Sequence, residues 1–314
     1  MTWLDRLPGR GRQGILWLLL VMVVAAATVN PEFRTLDNAV NVLNQSAALG
    51  ILAVGQTVVI IAGLLDLSVG MLIGLIVVLT NDLMNGQASA TLPAILLALG
   101  LGLAVGTVNG VLDKLLRIDP LILTFGMLSV LQGVIFVYTD RSVGRASDAF
   151  LWMASGTVAG VPFSAILLAA ASGLVYLLLD RTRFGRHVFA VGGDETCARR
   201  AGIDTARIRL IVFMISGLSA GIAGILVAGR LGTGYPNAGA GFELDAIVAV
   251  VLGGTSLAGG RGSVLGTVAA VFVLGIASNI LNLMEVSSFV QLLVKGLIVV
   301  VAIIANQPRR LMPA

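Results

Sequence analysis

The chain carries few side chains that could perform nucleophilic or acid–base chemistry. Of its 314 residues, 57% are hydrophobic and 11% are charged, and they include one histidine and one cysteine. His187 and Cys197 share an arginine-rich segment, but nothing around them predicts a pocket. A single cysteine forms neither an intrachain disulfide nor a four-ligand zinc site. We therefore expect no catalytic residue and no metal site.

A second group of side chains is polar or ionisable within long apolar stretches. An ionisable group at bilayer depth costs at least about 2.5 kcal/mol unless it is paired or hydrated. Asp66 and Ser68 are predicted to form a hinge. Glu243 and Asp245 either cap a helix or contact a partner protein. For Lys295, the sequence does not indicate which acidic group would pair with it. Uncharged residues that either bridge helices or hydrogen-bond a neutral polyol along a pathway are Gln56, Asn109, Thr124, Gln132, Asn279, Asn282 and Gln291.

Membrane helices must hold these residues, because a mean hydropathy of +1.00 is too apolar for a soluble enzyme, a disordered chain or collagen. The apolar run 47–79 would reach about 50 Å as one helix, so we divide it at Asp66 and Ser68. The first span is predicted as an uncleaved anchor, although Ala25–Ala27 also resembles a signal-peptide cleavage site. The ten predicted spans are 14–29, 47–65, 68–84, 92–112, 120–138, 163–179, 208–229, 244–258, 263–283 and 288–306.

The basic residues predict the orientation of these spans. Of the 20 lysine and arginine residues, fifteen lie in segments on the same side as the N-terminus. Cytoplasmic loops are enriched in such residues, so both termini are predicted to be cytoplasmic. This asymmetry also accounts for the isoelectric point near 9.8 without a nucleic-acid partner.

The 39 glycines predict close helix packing. Gly102, Gly106 and Gly110 repeat every four residues, a pattern that favours packing within the chain over a dimer contact. Two glycine-bearing reversals, 63–70 and 253–262, suggest a weak internal duplication, built either as broken helices or as tight hairpins. Their candidate hinge residues are Gly63, Asp66, Ser68, Gly70, Gly253 and Gly254.

The longest loop on the predicted inner side, 180–209, contains signals for one short helix at about 195–201. Asp194 is a good N-cap, Glu195 places a negative charge in the first turn, and Gly202 provides a stop. Arg199 and Arg200 fall in the last turn. A helix with both ends marked favours docking into a cleft; a capped surface helix that stabilises only the loop is the alternative.

Four segments resemble the membrane permease subunits of bacterial ribose/galactoside-type ABC sugar importers, and the resemblance extends from about Asn38 to Asn306. They are GQTVVIIAGLLDLSVG (55–70), FGRHVFAVGGDETCARRAGI (184–203), ISGLSAGIAGILVAGR (215–230) and GFELDAIVAVVLGGTSLAGGRGSVLGT (241–267). Leu64, Gln132, Asp194 and Cys197 depart from the usual family residues. The departures at Leu64 and Gln132 argue against carrying over a relative's substrate.

The resemblance implies an all-α fold similar to type II ABC importer permeases, with residues 1–314 as one transmembrane domain in the bacterial inner membrane. It also implies that the loop helix, about 194–202, is a coupling helix that contacts a cytoplasmic ABC ATPase. The remaining implied partners are a periplasmic sugar-binding protein and a second permease copy or a paralogous permease. The coupling residues carried over are Asp194, Glu195, Ala198, Arg199 and Gly202.

The chain contains no G-x-x-x-x-G-K-[ST] phosphate loop, so ATP and Mg²⁺ are expected on the separate ATPase, with no cofactor on this chain. The predicted function is a permease subunit that carries a monosaccharide by alternating access. An ion-coupled secondary carrier of a small polar solute is the alternative, favoured by the reversals and Asp66. An intramembrane enzyme is a weaker third class, because no cluster of catalytic groups is evident.

Overall fold

The computed structural model describes residues 10–116, 118–287, 290, 291, 293, 296 and 297. Short 3₁₀ helices at Pro31–Arg34 and Ala88–Ala90 and a small antiparallel hairpin, β1 (Thr157–Val158) with β2 (Val161–Pro162), connect α-helices. The α-helices are α1 (Arg10–Val29), α2 (Leu36–Ile61), α3 (Val69–Met84), α4 (Thr91–Leu116), α5 (Pro120–Tyr138), α6 (Asp148–Ser155), α7 (Phe163–Arg181), α8 (Arg183–Gly193), α9 (Glu195–Arg200), α10 (Thr205–Leu231), α11 (Phe242–Leu252) and α12 (Val264–Leu283).

Within the described residues, six helices are long and apolar enough to cross a membrane: α2, α4 with its preceding 3₁₀ turn, α5, α7, α10 and α12. The apolar parts of α1 and α3 are shorter. The span predicted at 244–258 appears as α11, whose 11 residues reach only about 17 Å, so this helix does not cross a bilayer by itself. The predicted span 288–306 lies almost wholly outside the described residues, as do both termini, whose orientation stays a prediction.

Helices α2 and α10 form the centre of the bundle. In their most apolar windows 83% and 67% of the residues are buried, against 22–28% in α4, α5 and α7. The two central helices pack on each other, and α10 also packs on α3 and α4. The outer helices therefore present apolar faces that lipid or another chain must cover.

Glycines allow α4 and α10 to pack closely. A Cβ atom added at Gly102 would lie 2.4 Å from the carbonyl oxygen of Gly217, and one at Gly217 would lie 2.0 Å from that of Gly102. Gly106 meets the backbone of Phe213 in the same way. The predicted glycine face is therefore used within the chain, as the sequence favoured.

Helices α2 and α11 end in the same turn. At α2, Leu64 N–H donates to the carbonyl of Val59 and Gly63 N–H to that of Ile60. At α11, Thr255 N–H donates to Val250 and Gly254 N–H to Val251. These paired bonds define a Schellman cap, and Gly63 and Gly254 have φ of +77° and +90°, values that glycine adopts without strain.

The prediction of a single helix in 180–209 is wrong, because a second helix, α8, precedes α9. Thr182 caps α8 by accepting the Gly185 N–H at 3.2 Å. Its apolar side chains Val188 and Val191 are buried against α2 and α10. Gly192 and Gly193, which directly precede the Asp194 cap, form the last residues of α8.

Candidate functional site

Helix α9 is short and is capped at both ends. The Asp194 side chain accepts the Cys197 N–H at 2.9 Å. At the other end Gly202 has φ +84°, and Ile203 and Gly202 donate their N–H groups to the carbonyls of Ala198 and Arg199. The cap residues thus fix the helix locally, and its conformation does not require a partner.

The two faces of α9 differ in exposure. Ala198 is buried in a cluster with Val188 and Val191 of α8 and with Ile208 and Val212 of α10. The opposite face exposes Thr196, Cys197, Arg199 and Arg200. The apolar contact of the helix with the bundle is therefore made through one small residue, and a basic surface faces outward.

An ionic cluster fastens α9 to two long helices. Arg209 of α10 donates to Asp113 of α4 at 2.5 and 2.7 Å, and also to Glu195 of α9 at 2.8 Å. Glu195 further accepts from Arg199 and from the Thr205 hydroxyl. This cluster borders a cleft of about 740 Å³ between α4, α9 and α10. Movement of α9 thus changes contacts that also hold α4 and α10.

Neighbouring charges and hydrogen bonds shift the pKa values of three side chains in α9 and at its N-cap. Burial raises the pKa of Glu195, but Arg209, Thr205 and Arg199 together outweigh it and the pKa is lowered, so the group stays anionic at neutral pH. The Cys197 N–H bond lowers the pKa of Asp194. Conversely, the adjacent Asp194 raises the pKa of the Cys197 thiol, which disfavours the thiolate that a nucleophile requires.

The reversal predicted at 63–70 appears as residues 62–68 between α2 and α3 (the first reversal), and it is held by side chains from several helices. One carboxylate oxygen of Asp66 accepts the Ser68 N–H and hydroxyl at 3.1 and 2.6 Å, and the other accepts the Ser216 hydroxyl of α10 at 2.7 Å. Asn109 of α4 donates to the Ser68 hydroxyl at 2.9 Å. Asp66 is 1% exposed, so these bonds replace water around a buried carboxylate.

The sequence matches the family model of the permease component of branched-chain amino acid transport systems over residues 38–303. The ribose import permease protein RbsC of Escherichia coli (strain K12) is 39% identical over 93% of this chain and 92% of its own length. RbsC of Bacillus subtilis (strain 168) is 38% identical, covering 93% and 91%. The L-arabinose permease protein AraH of E. coli (strain K12) is 36% identical, covering 94% and 90%.

The chain belongs to this permease family. It is a multi-pass membrane protein and a subunit of a transporter. The comparison with solved structures found no significant match.

Three of the permease's predicted pathway residues converge on the first reversal. Gln56 donates to the Asp66 carbonyl at 2.8 Å, and the Thr124 hydroxyl contacts the Leu65 carbonyl and the Leu67 N–H. Both are fully buried, as is Asn109, so in this conformation Gln56 and Thr124 support the backbone of the reversal and Asn109 supports the Ser68 side chain. The Gln56 Oε1 and Asn109 Oδ1 atoms have no hydrogen-bond partner among the described residues.

The remaining polar candidates of the permease lie apart from one another. Gln132 is exposed on α5. Gln291, which follows α12, donates to Asn282 in the last turn of that helix at 2.8 Å. The Asn279 and Asn38 side-chain amides donate to each other's oxygen atoms at 2.8 and 3.0 Å, which joins α12 to α2. Lys295 lies outside the described residues.

The remaining hinge candidates of the permease leave room for a close neighbour, a side chain at Gly70 and a backbone segment at Gly253. A Cβ at Gly70 would lie 1.8 Å from the Glu243 carboxylate, and one at Gly253 would lie 2.5 Å from the Thr267 nitrogen. Glu243, in the first turn of α11, is 9% exposed and therefore faces α3 rather than an external partner.

Sequence reasoning missed Arg209 and Asp113 because no local signal links two residues 96 positions apart. It missed Ser216 for the same reason, since this residue is 150 positions from Asp66. Hydroxyl and ionic partners of this kind become visible only once the helices are packed.

Proposed function

We propose that the protein is the permease subunit of an ATP-driven importer and moves a monosaccharide across the bacterial inner membrane by alternating access. The observation that carries this proposal is the match of nearly the whole chain to permeases named for ribose and L-arabinose. The family model's description names branched-chain amino acids instead, so the substrate class must be tested against leucine.

In this proposal α9 lies in the cytosol and docks into a groove of an ABC ATPase that holds ATP and Mg²⁺. The basic asymmetry of the sequence supports this orientation. The exposed Arg199 and Arg200 contact the ATPase, while Asp194 and Gly202 fix the ends of the helix. Glu195 and Ala198 hold it on the bundle, so that movement of the ATPase reaches α4 and α10.

A second permease copy, identical or paralogous, is proposed to cover the open face of α5. That face exposes Gly126, Ser129, Gln132 and Gly133 among apolar residues. Small and hydroxyl- or amide-bearing side chains suit the wall of a path for a neutral polyol. A periplasmic sugar-binding protein would deliver substrate at the end of the bundle opposite α9.

The test is uptake by proteoliposomes that contain the permease with its cognate ATPase and binding protein. Radiolabelled ribose, L-arabinose and leucine are supplied in turn, with ATP inside or absent. ATP-dependent accumulation of one of the sugars, and not of leucine, is expected. Accumulation by the permease alone in response to an ion gradient would establish the secondary carrier instead.

The role of α9 is tested by Arg200→Glu, with Arg141→Glu as the matched control. Both arginines are exposed, and neither side chain forms a hydrogen bond or ion pair among the described residues. Arg200→Glu should abolish co-purification of the ATPase and reduce uptake, whereas Arg141→Glu, between α5 and α6, should leave ATPase binding intact. Equal ATPase binding by the two variants would remove α9 from the ATPase interface.

A further inference from the structure

Three separate segments meet at a set of four glycines, Gly63, Gly192, Gly259 and Gly260, which we call the glycine junction. Gly63 belongs to the first reversal and Gly192 to the end of α8. Gly259 and Gly260 belong to the segment 253–263 between α11 and α12, the second reversal. The Gly260 N–H donates to the carbonyl of Ile61 at 2.9 Å, which joins the second reversal to the last residue of α2, directly before the first reversal.

The junction packs backbone against backbone. A Cβ at Gly192 would lie 1.7 Å from the Ile61 carbonyl oxygen and 2.8 Å from the Gly260 nitrogen. One at Gly259 would lie 2.5 Å from the Gly192 carbonyl oxygen and 2.9 Å from the Gly63 Cα. The nearest atoms to each added Cβ are backbone atoms, which cannot rotate away as a side chain can, so the displacement of one segment presses on the others.

The backbone of Gly193 also borders the junction, since a Cβ at Gly260 would lie 2.8 Å from the Gly193 Cα, but the steric requirement for glycine is confined to Gly192 of this pair. A Cβ at Gly193 would meet no atom within 4 Å among the described residues, although Gly192 and Gly193 are consecutive in the same helix. Only glycine therefore fits at position 192 without a clash, whereas position 193 has room for a Cβ and provides a matched control.

The junction lies between α9 and the two reversals. Asp194, which caps α9, follows Gly192 by two residues. The first reversal is bonded through Asp66 and Ser68 to α10 and α4. The second continues into α12, whose Thr267 hydroxyl is 2.8 Å from that of Thr57 in α2.

We propose that the glycine junction passes movement of α9 to both reversals at once, and that Gly192 is the positioning residue of this contact. The proposal rests on the proposed docking of α9 to the ATPase. The ionic cluster at Arg209 links α9 to α4 and α10; the junction adds the inner ends of α2, α3, α11 and α12. One segment thus acts on both reversals.

The first experiment compares Gly192→Ala with Gly193→Ala in the complex with the ATPase. Gly192→Ala should lower sugar uptake per ATP hydrolysed by about tenfold, within the range of ordinary coupling between sites. It should still co-purify with the ATPase, which distinguishes it from Arg200→Glu. Gly193→Ala should match the parent. Normal uptake per ATP in Gly192→Ala would overturn the proposal while leaving the docking of α9 intact.

A second experiment does not depend on the folding of Gly192→Ala. In a Cys197→Ser background, Gly193→Cys and Ala258→Cys, both exposed, are joined by a short bifunctional maleimide. If the three segments move as a unit, the tether leaves ATP-driven uptake unchanged. Loss of uptake on tethering, reversed with a cleavable reagent, would mean that α9 and the second reversal move independently, against the proposal.

Discussion

The two reversals begin alike and are held differently. Each follows a helix that ends in a Schellman cap with glycine at positive φ. Beyond the cap, the first reversal is largely buried and its carboxylate binds hydroxyls of its own segment and of α10. Residues of the second are mostly partly or fully exposed, and bonds such as Ser256 N–H to the Arg261 carbonyl join neighbours within the segment.

This difference shows that turn chemistry and anchoring are separate properties. The cap needs only the local sequence, whereas the anchor needs polar groups contributed by remote helices. A reversal held by buried bonds moves only together with α4, α5 and α10. One held by local bonds can move with little loss of hydrogen bonding, provided that the glycine junction moves with it.

The largest effect is expected for Asp66→Ala. The substitution leaves the Ser68 and Ser216 donors buried without their acceptor, so the free energy of unfolding should fall by about 2–5 kcal/mol. Ser256→Ala in the second reversal should change it by less than about 0.5 kcal/mol. Thermal unfolding of the purified permease in detergent measures both. Similar losses would contradict the difference in anchoring.

Gly63→Ala and Gly254→Ala come next and test the shared cap. Each forces alanine into a left-handed conformation, which costs about 1–2 kcal/mol per residue. An added Cβ meets only Gly192 at 3.6 Å or more in the first case, and nothing within 4 Å among the described residues in the second. The two losses of unfolding free energy should therefore agree within about 0.5 kcal/mol. A larger gap would mean that the turns are not equivalent.

The sequence predicts those features of the two reversals and of α9 that depend on residues close together in the chain. The glycine pattern located both reversals, and α5 spans Pro120–Tyr138 as the apolar run predicts. The Asp194 and Gly202 signals located α9, since caps depend on neighbouring residues. The sequence also contains signals for α8, namely the Thr182 cap and the apolar residues on one face of the helix. The prediction missed this helix because the segment 180–209 contains seven arginines, which favoured a loop. The partners of Asp66 and Glu195 lie on other helices, and a single sequence carries no signal for them.

A third prediction concerns Thr57 and Thr267, whose hydroxyls join α2 to α12 and hence the helices beside the two reversals. Either single change to valine should lower the free energy of unfolding by about 0.5–1.5 kcal/mol. The loss is limited because each hydroxyl also lies within hydrogen-bonding distance of a carbonyl one turn back. The double variant should lose less than the sum of the two, because either single change already removes the shared hydroxyl contact. Strict additivity in the double-mutant cycle would argue that the hydroxyl contact contributes nothing.

The smallest perturbation tests the difference in exposure without breaking any named bond. We compare Ala62→Cys with Ala258→Cys, each of which replaces one small side chain with another. Both are made in a Cys197→Ser background, because the exposed Cys197 would also react. Ala62 is 3% exposed, whereas Ala258 lies on the open part of the second reversal. Because a thiol must reach solvent to react, a water-soluble maleimide should modify position 258 at least about tenfold faster. Equal rates would show that the first reversal opens as readily as the second, and its buried carboxylate would then not act as an anchor. If ATP raises the rate at position 62 only when the ATPase is bound, the anchored reversal itself moves during transport, carried by α9 through the junction.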